Sequence, residues 1–227
     1  MKESGSDAPP FIRYYRPELD DDQLLARSKK FREELSERRS VRHFSPRPVA
    51  KEVIEHVILT AASAPSGAHK QPWTFCAISD PLIKSEIRQA AELEEKQNYG
   101  GRMSAAWLDD LEPFATNWQK PMLETAPWLI VVFRQMYTLS DHEEKVKNYY
   151  VSESVGIATG ILLAAIHQVG LVALTHTPSP MNFLERILNR PSNERAFLLI
   201  PVGHPDPEAL VPNLNRKKVG EVLHWHI

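Results

Sequence analysis

A single cysteine, Cys76, stands in 227 residues, which excludes an intramolecular disulfide framework and suits a reducing compartment. It lies in the strand-like run Trp73–Ile78, where a small core residue is its ordinary role. Neither sign of charge dominates: 27 Lys+Arg against 29 Asp+Glu leave a net charge of −2, so nothing points to nucleic acid as a partner. There is no GxGxxG and no P-loop motif, hence no sign of a dinucleotide or Walker-type site. Met1–Pro10 is polar, without the apolar core of a signal peptide, and the most apolar stretch, Val155–Val169, is short for a bilayer. We therefore expect a soluble, cytoplasmic chain with no membrane partner. His224 and His226 flank Trp225, but two imidazoles without a third ligand do not make a metal site, and no metal is expected. Neither a Ser/His/Asp arrangement nor an internal repeat is visible.

What is present suffices for a sizeable core, with 42% hydrophobic residues. Asp20–Asp22 precede Leu24, Leu25, Phe31 and Leu35, which predicts a capped amphipathic helix over 21–37. Helical periodicity recurs through Val53, Ile54, Val57, Ile58 and Ala61, and Pro65-Ser66-Gly67 ends it. A strand over 73–79 follows. Asp80-Pro81 then starts a helix that runs to about Asn98, broken by Gly100-Gly101, with a second helical segment over 102–115. Residues 128–136 read as a buried strand, 140–147 as a charged surface loop, and 148–168 as the longest helix. That helix carries Gly156, Gly160, Ala164 and Ala165 and is apolar nearly all round, so burial on most sides is expected, as core spine or subunit interface. Strands over 171–175 and 196–202 flank a short helix near 182–188. The pattern predicts one α+β domain over 21–227, a flexible segment over 1–20, a lid at about 93–122 and a wrapping arm over 204–227.

Four places carry candidate chemistry. Arg38, Arg39, Ser40 and Arg42 offer convergent cations and a hydroxyl suited to a terminal phosphate; the same run also reads as a solvated basic turn after a helix. Pro65-Ser66-Gly67-Ala68 gives a flat ligand close access to backbone amides, or is an ordinary turn. Thr175-His176-Thr177 ends a strand with its hydroxyls on the opposite side from the imidazole. Glu95 and Tyr99 project from one helical face, and Lys120 follows. A carboxylate, a phenol and an ammonium together can hold the charged end of a free amino acid.

Taken together, these segments resemble the nitroreductase-like flavoprotein superfamily and, within it, the iodotyrosine deiodinases. The resemblance runs from about Glu37 to Lys217. It is carried by Arg38–Arg42, Ala64–His69, Gln71–Phe75, Asn98-Tyr99, Thr116-Asn117-Trp118 with Lys120, Thr175, Thr177 and Pro201–Gly203. It implies a central mixed or antiparallel sheet flanked by helices, in a homodimer with exchanged C-terminal arms. By resemblance, FMN would be held by Arg38, Arg39, Ser40, Arg42 and Arg216. Pro65, Ser66 and Gly67 would line the isoalloxazine, and Thr175, His176 and Thr177 its other edge. Thr177 would be the catalytic residue, bonded to the flavin N5 and favouring one-electron chemistry. Glu95, Tyr99 and Lys120 would chelate the substrate ammonium and carboxylate, and the Ala68 amide would bind the phenolate.

The activity so implied is FMN-dependent reductive dehalogenation of 3-iodo- and 3,5-diiodo-L-tyrosine, with electrons from NADPH or a separate reductase. A general FMN nitroreductase or quinone reductase, without an amino-acid grip, is the alternative; a non-catalytic halotyrosine or flavin sensor is another. One departure stands out: His176 replaces the middle residue of what is often a threonine triplet. The run near Ser179–Asn182 also looks one residue shorter.

Overall fold

The computed structural model describes residues 11–140 and 144–227, so the first ten residues of the expected N-terminal segment lie outside the described residues. The chain divides into residues 1–37 and 38–227. In the first part, α1 (Asp21–Glu37) is capped as expected: the Asp20 carboxylate accepts from the Gln23 amide at 2.8 Å.

The second part is built on an antiparallel sheet of four strands in the order β1-β2-β6-β5. Its elements, in chain order, are α2 (Lys51–Ala62), β1 (Trp73–Ile78), α3 (Pro81–Gln97), α4 (Ala105–Leu111), α5 (Met122–Thr125) and β2 (Trp128–Gln135). Then come β3 (Tyr137–Leu139), β4 (Lys145–Lys147), α6 (Val151–Gln168), β5 (Val172–Ala173), α7 (Asn182–Ile187), β6 (Glu194–Gly203) and α8 (Val219–Val222).

The unbroken apolar run of β2 follows from its position. Ile130 and Val132 face a core shared with α2 and α6, while Leu129, Val131 and Phe133 face a second core shared with α3 and α7. All five are fully buried, each contributing about 1.5–3 kcal/mol by removal from water. A strand covered on both faces has no polar side to alternate with. Between β2 and β6 the register shifts at Val132/Phe133, where the partners pass from Leu198 to Ala196.

Several expectations change. The segment 140–147, read as a loop, contains β4, which pairs with β3 (Tyr137 opposite Lys147); residues 141–143 lie outside the described residues. These two short strands form a sheet of their own, and β4 is exposed throughout, so it carries little burial signal, which explains the misreading. The strand expected over 171–175 is regular only at Val172–Ala173 and continues as an isolated bridge between His176 and Leu199. Helix α3 does not stop sharply at the glycines but widens into a π turn over Asn98–Arg102, closed by Gly101 at φ 140°.

α6 spans 18 residues and is long and apolar enough to cross a membrane by length and composition. One of its faces packs against α2 and the sheet through Val155, Ala158, Leu162 and Ile166. Gly156, Ile157 and Gly160 lie exposed on the other face of the single chain. The arm over 204–227 is largely extended and leaves Leu210, Val219, Val222 and Trp225 exposed.

Candidate active site

Glu95 lies on the last turn of α3, in line with Ile87 and Ala91 on the face that the helix buries. Its carboxylate is 6% exposed, and Lys120, which precedes α5, is 3% exposed. Lys120 Nζ stands 3.6 Å from Glu95 Oε2 and 5.5 Å from the centre of the Tyr99 ring. It also donates to the Asn117 carbonyl and to Thr116 Oγ1 at 3.4 Å. Burial pushes the Glu95 carboxyl up and the Lys120 ammonium down, and each partner's charge opposes the other's shift. Tyr99 is pushed up, chiefly by burial. The three residues proposed for an amino-acid grip are thus brought together, with the two charged members already paired.

They line one cavity of about 180 Å³ with Met103, Trp107, Leu111, Thr116, Thr175, His176 and Thr177. That is less than the roughly 300–1,000 Å³ usual for small-molecule sites, and the segment after α3 supplies part of its wall through Met103, Trp107 and Leu111. The strand end alternates as expected: Thr175 and Thr177 are exposed and His176 is buried. Two backbone bonds pin that alternation, His176 N to Leu199 O at 2.9 Å and Leu199 N to His176 O at 3.0 Å.

A second cavity, about 160 Å³, is lined by Arg38, Arg39, Ser40, Arg42 and Arg216 with Phe114, Pro212 and Asn215. The arginine run is anchored to the sheet edge, Val41 N donating to Ala173 O at 3.2 Å, and the arm is drawn to it. Arg216 donates to the Arg38 carbonyl at 2.8 Å, and Arg39 donates to the Pro212 carbonyl. Arg42 lines both cavities, with its guanidinium 5.4 Å from the centre of the Phe114 ring. One cationic residue therefore joins the phosphate-sized hollow to the pocket of the grip.

Pro65, Ser66, Gly67 and Ala68 line neither cavity. They form a turn between α2 and β1 in which Ser66 Oγ accepts from the Gln71 amide at 2.9 Å. The turn leans on the start of α6, and a Cβ on Gly67 would lie 3.0 Å from the Tyr149 carbonyl. Ala68 holds a left-handed conformation at φ 49°. In a single copy, then, this part of the expected site stands apart from the rest.

Residues 35–204 match the model of the nitroreductase family. The iodotyrosine deiodinase of Haliscomenobacter hydrossis is 58% identical over 95% of this chain and 97% of its own length. The chain belongs to the nitroreductase family, in its iodotyrosine deiodinase branch. Human iodotyrosine deiodinase 1 is 45% identical over 94% of this chain and 73% of its own. A crystal structure of an oxidized iodotyrosine deiodinase bound to FMN and 3-iodo-L-tyrosine superposes with a TM-score of 0.74 at 30% identity, covering 87% of this chain and 99% of that one. A BluB-like flavoprotein of Clostridium difficile shares the fold alone, at 20% identity and a TM-score of 0.65.

Within this deiodinase-branch chain, Glu92 was missed from sequence. Its Oε1 accepts the Lys120 amide at 2.7 Å and Arg88 Nε at 2.7 Å, while Arg88 also binds Glu124 at 2.8 Å. Lys84 Nζ donates to the Glu124 and Ala126 carbonyls, each at 2.8 Å. One face of α3 thus clamps the stretch that carries Lys120. Helical spacing of Lys84, Arg88, Glu92 and Glu95 was the available signal.

Proposed function

We propose that this chain is an FMN-dependent reductive dehalogenase of halotyrosines. The observation that carries the reading is the buried Glu95–Lys120 pair beside Tyr99, in one pocket with Thr175 and Thr177. Surface charges meet by chance, but two opposite charges buried side by side cost too much desolvation to be incidental. Released from each other, they match the ammonium and carboxylate of a free amino acid.

The residues fit FMN: a cationic hollow for its phosphate at Arg38, Arg39, Ser40, Arg42 and Arg216, continuous through Arg42 with the hydroxyls of Thr175 and Thr177. Bound and reduced, FMN supplies the two electrons of the reaction. The overall change takes a halotyrosine, two electrons and one proton to tyrosine and halide. Glu95 and Lys120 orient the substrate by its charged end, and Met103, Trp107 and Leu111 exclude water above the ring. The Ala68 amide, supplied by a second copy, holds the phenolate oxygen. Protonation at the halogen-bearing carbon then gives a keto tautomer with a weakened carbon–halogen bond. Thr177, which lines this pocket, would offer its hydroxyl to the flavin ring.

A homodimer is part of this reading. It is supported by the open face of α6, the exposed apolar side chains of the arm, and the distance of Pro65–Ala68 from the remaining site residues. Lacking a dinucleotide motif, the chain takes electrons from NADPH without a Rossmann site or from a separate reductase. A cytoplasmic location agrees with the half-buried free thiol of Cys76, which burial pushes up. Yellow purified protein, reduced with dithionite, should release iodide from 3-iodo-L-tyrosine. Rapid turnover of nitroarenes without iodide would instead identify a general nitroreductase.

A further inference from the structure

His176 Nε2 is buried without a hydrogen-bond partner and lies 3.8 Å from Glu95 Oε1. Its backbone is fixed by both bonds to Leu199, which keeps the imidazole on the buried side of the strand end. Around it stand Glu95 from α3, Lys120 before α5, and Arg42. The imidazole is neutral: burial, reinforced by the Lys120 and Arg42 charges, pushes it down to about 3. A neutral ring carries one N–H, and a lone pair facing a carboxylate would repel it, so the proton belongs on Nε2.

We propose that His176 is a positioning residue for Glu95, its Nε2–H holding the carboxylate in place once Lys120 turns to the substrate. The inference rests on the amino-acid grip described above. In the free chain Lys120 lies on the other carboxylate oxygen, Oε2. When the substrate carboxylate draws Lys120 away, Glu95 keeps only the incoming ammonium, and a carboxylate on the end of two methylenes would swing with it. Closing the present gap by roughly 0.6–1 Å brings Nε2 within hydrogen-bond range of Oε1. Threonine at this position is too short to span that distance. The departure from a threonine triplet thus becomes a contact to the grip rather than to the flavin.

The test measures binding of 3-iodo-L-tyrosine and of 3-(4-hydroxy-3-iodophenyl)propanoate, which lacks the ammonium, to the FMN-loaded protein. His176→Phe should weaken iodotyrosine about tenfold or more, the range of a charge-assisted hydrogen bond, and leave the propanoate within about twofold. His176→Gln, which keeps an N–H, should restore most of the affinity. In a Glu95→Gln background, His176→Phe should add little. Equal weakening of both ligands, or full additivity with Glu95→Gln, would overturn the proposal.

Nitrogen NMR of the ligand-free protein gives a second reading: an Nε2–H tautomer for His176 supports it, and an Nδ1–H tautomer overturns it. If the wild-type protein bound the two ligands equally, the grip itself would fall. A wild-type preference kept intact in His176→Phe would overturn the role of His176 alone.

Discussion

Lys120 Nζ and Glu95 Oε2 face each other across 3.6 Å inside a pocket that shields both from water. The two buried charges neutralise each other. On the proposed reading of this site, substrate entry is an exchange of ion-pair partners, and the desolvation of both charges has already been met in folding.

Breaking the pair should cost stability as well as binding. Glu95→Gln leaves the buried Lys120 ammonium without its counter-charge and should lower unfolding free energy by about 3–5 kcal/mol in urea titration. Replacing both partners, with Lys120→Met added, should recover most of that loss while halotyrosine binding stays abolished. Recovery of binding together with stability would refute the assigned roles.

Arg38 and Arg216 share the cationic hollow. Alanine at either should weaken FMN by about 1.5–3 kcal/mol, measured by flavin fluorescence, with riboflavin affected far less because it lacks the phosphate. Raising salt should weaken FMN and leave riboflavin nearly unchanged.

The pH dependence follows from His176. Its folded-state pKa is about 3 against 6.5 for the free side chain. The unfolded chain therefore takes up this proton first as pH falls. The stabilisation is complete above 6.5 and is lost on descent toward 3. At pH 5 the loss from this one group amounts to about 2 kcal/mol. His176→Gln should remove that part of the acid slope between pH 6.5 and 5 in chemical denaturation.

Gly160 has nothing within 4 Å of where a Cβ would stand, and it lies on the open face of α6. Gly160→Glu should leave the protomer folded, with helix propensity if anything improved by a few tenths to about 1 kcal/mol. Sedimentation should nevertheless show a monomer, and FMN should be lost with the partner's Pro65–Ala68 turn. A dimeric, yellow variant would rule out this interface.

Much of this arrangement was legible in the residues. Asp80-Pro81 announces α3, whose cap bonds Leu82 N and Ile83 N at 2.8 and 3.0 Å, and the Thr-His-Thr alternation survives intact. The cap is local to its own turn, and the alternation follows from the period of an extended chain, with Leu199 holding it in place. What escaped depends on distant parts of the chain. Glu92 matters only because α3 runs beside the stretch leading to α5, and the β3–β4 hairpin is too short and too charged to leave an apolar period. Position fooled the sequence in one further respect. Ser66 and Gly67 carry a strong local signature, but locality says nothing about which copy of the chain their ligand would sit against.

Glu95 belongs to a helix anchored in the protein interior, whereas Met103, Trp107 and Leu111 sit beyond it, the last two on α4. In the proposed reading, the carboxylate that holds the substrate ammonium and the side chains over the aromatic head therefore stand on separate, consecutive pieces of chain. Exchanging the second piece between relatives should retarget the enzyme to differently substituted rings while its requirement for a free amino acid stays untouched.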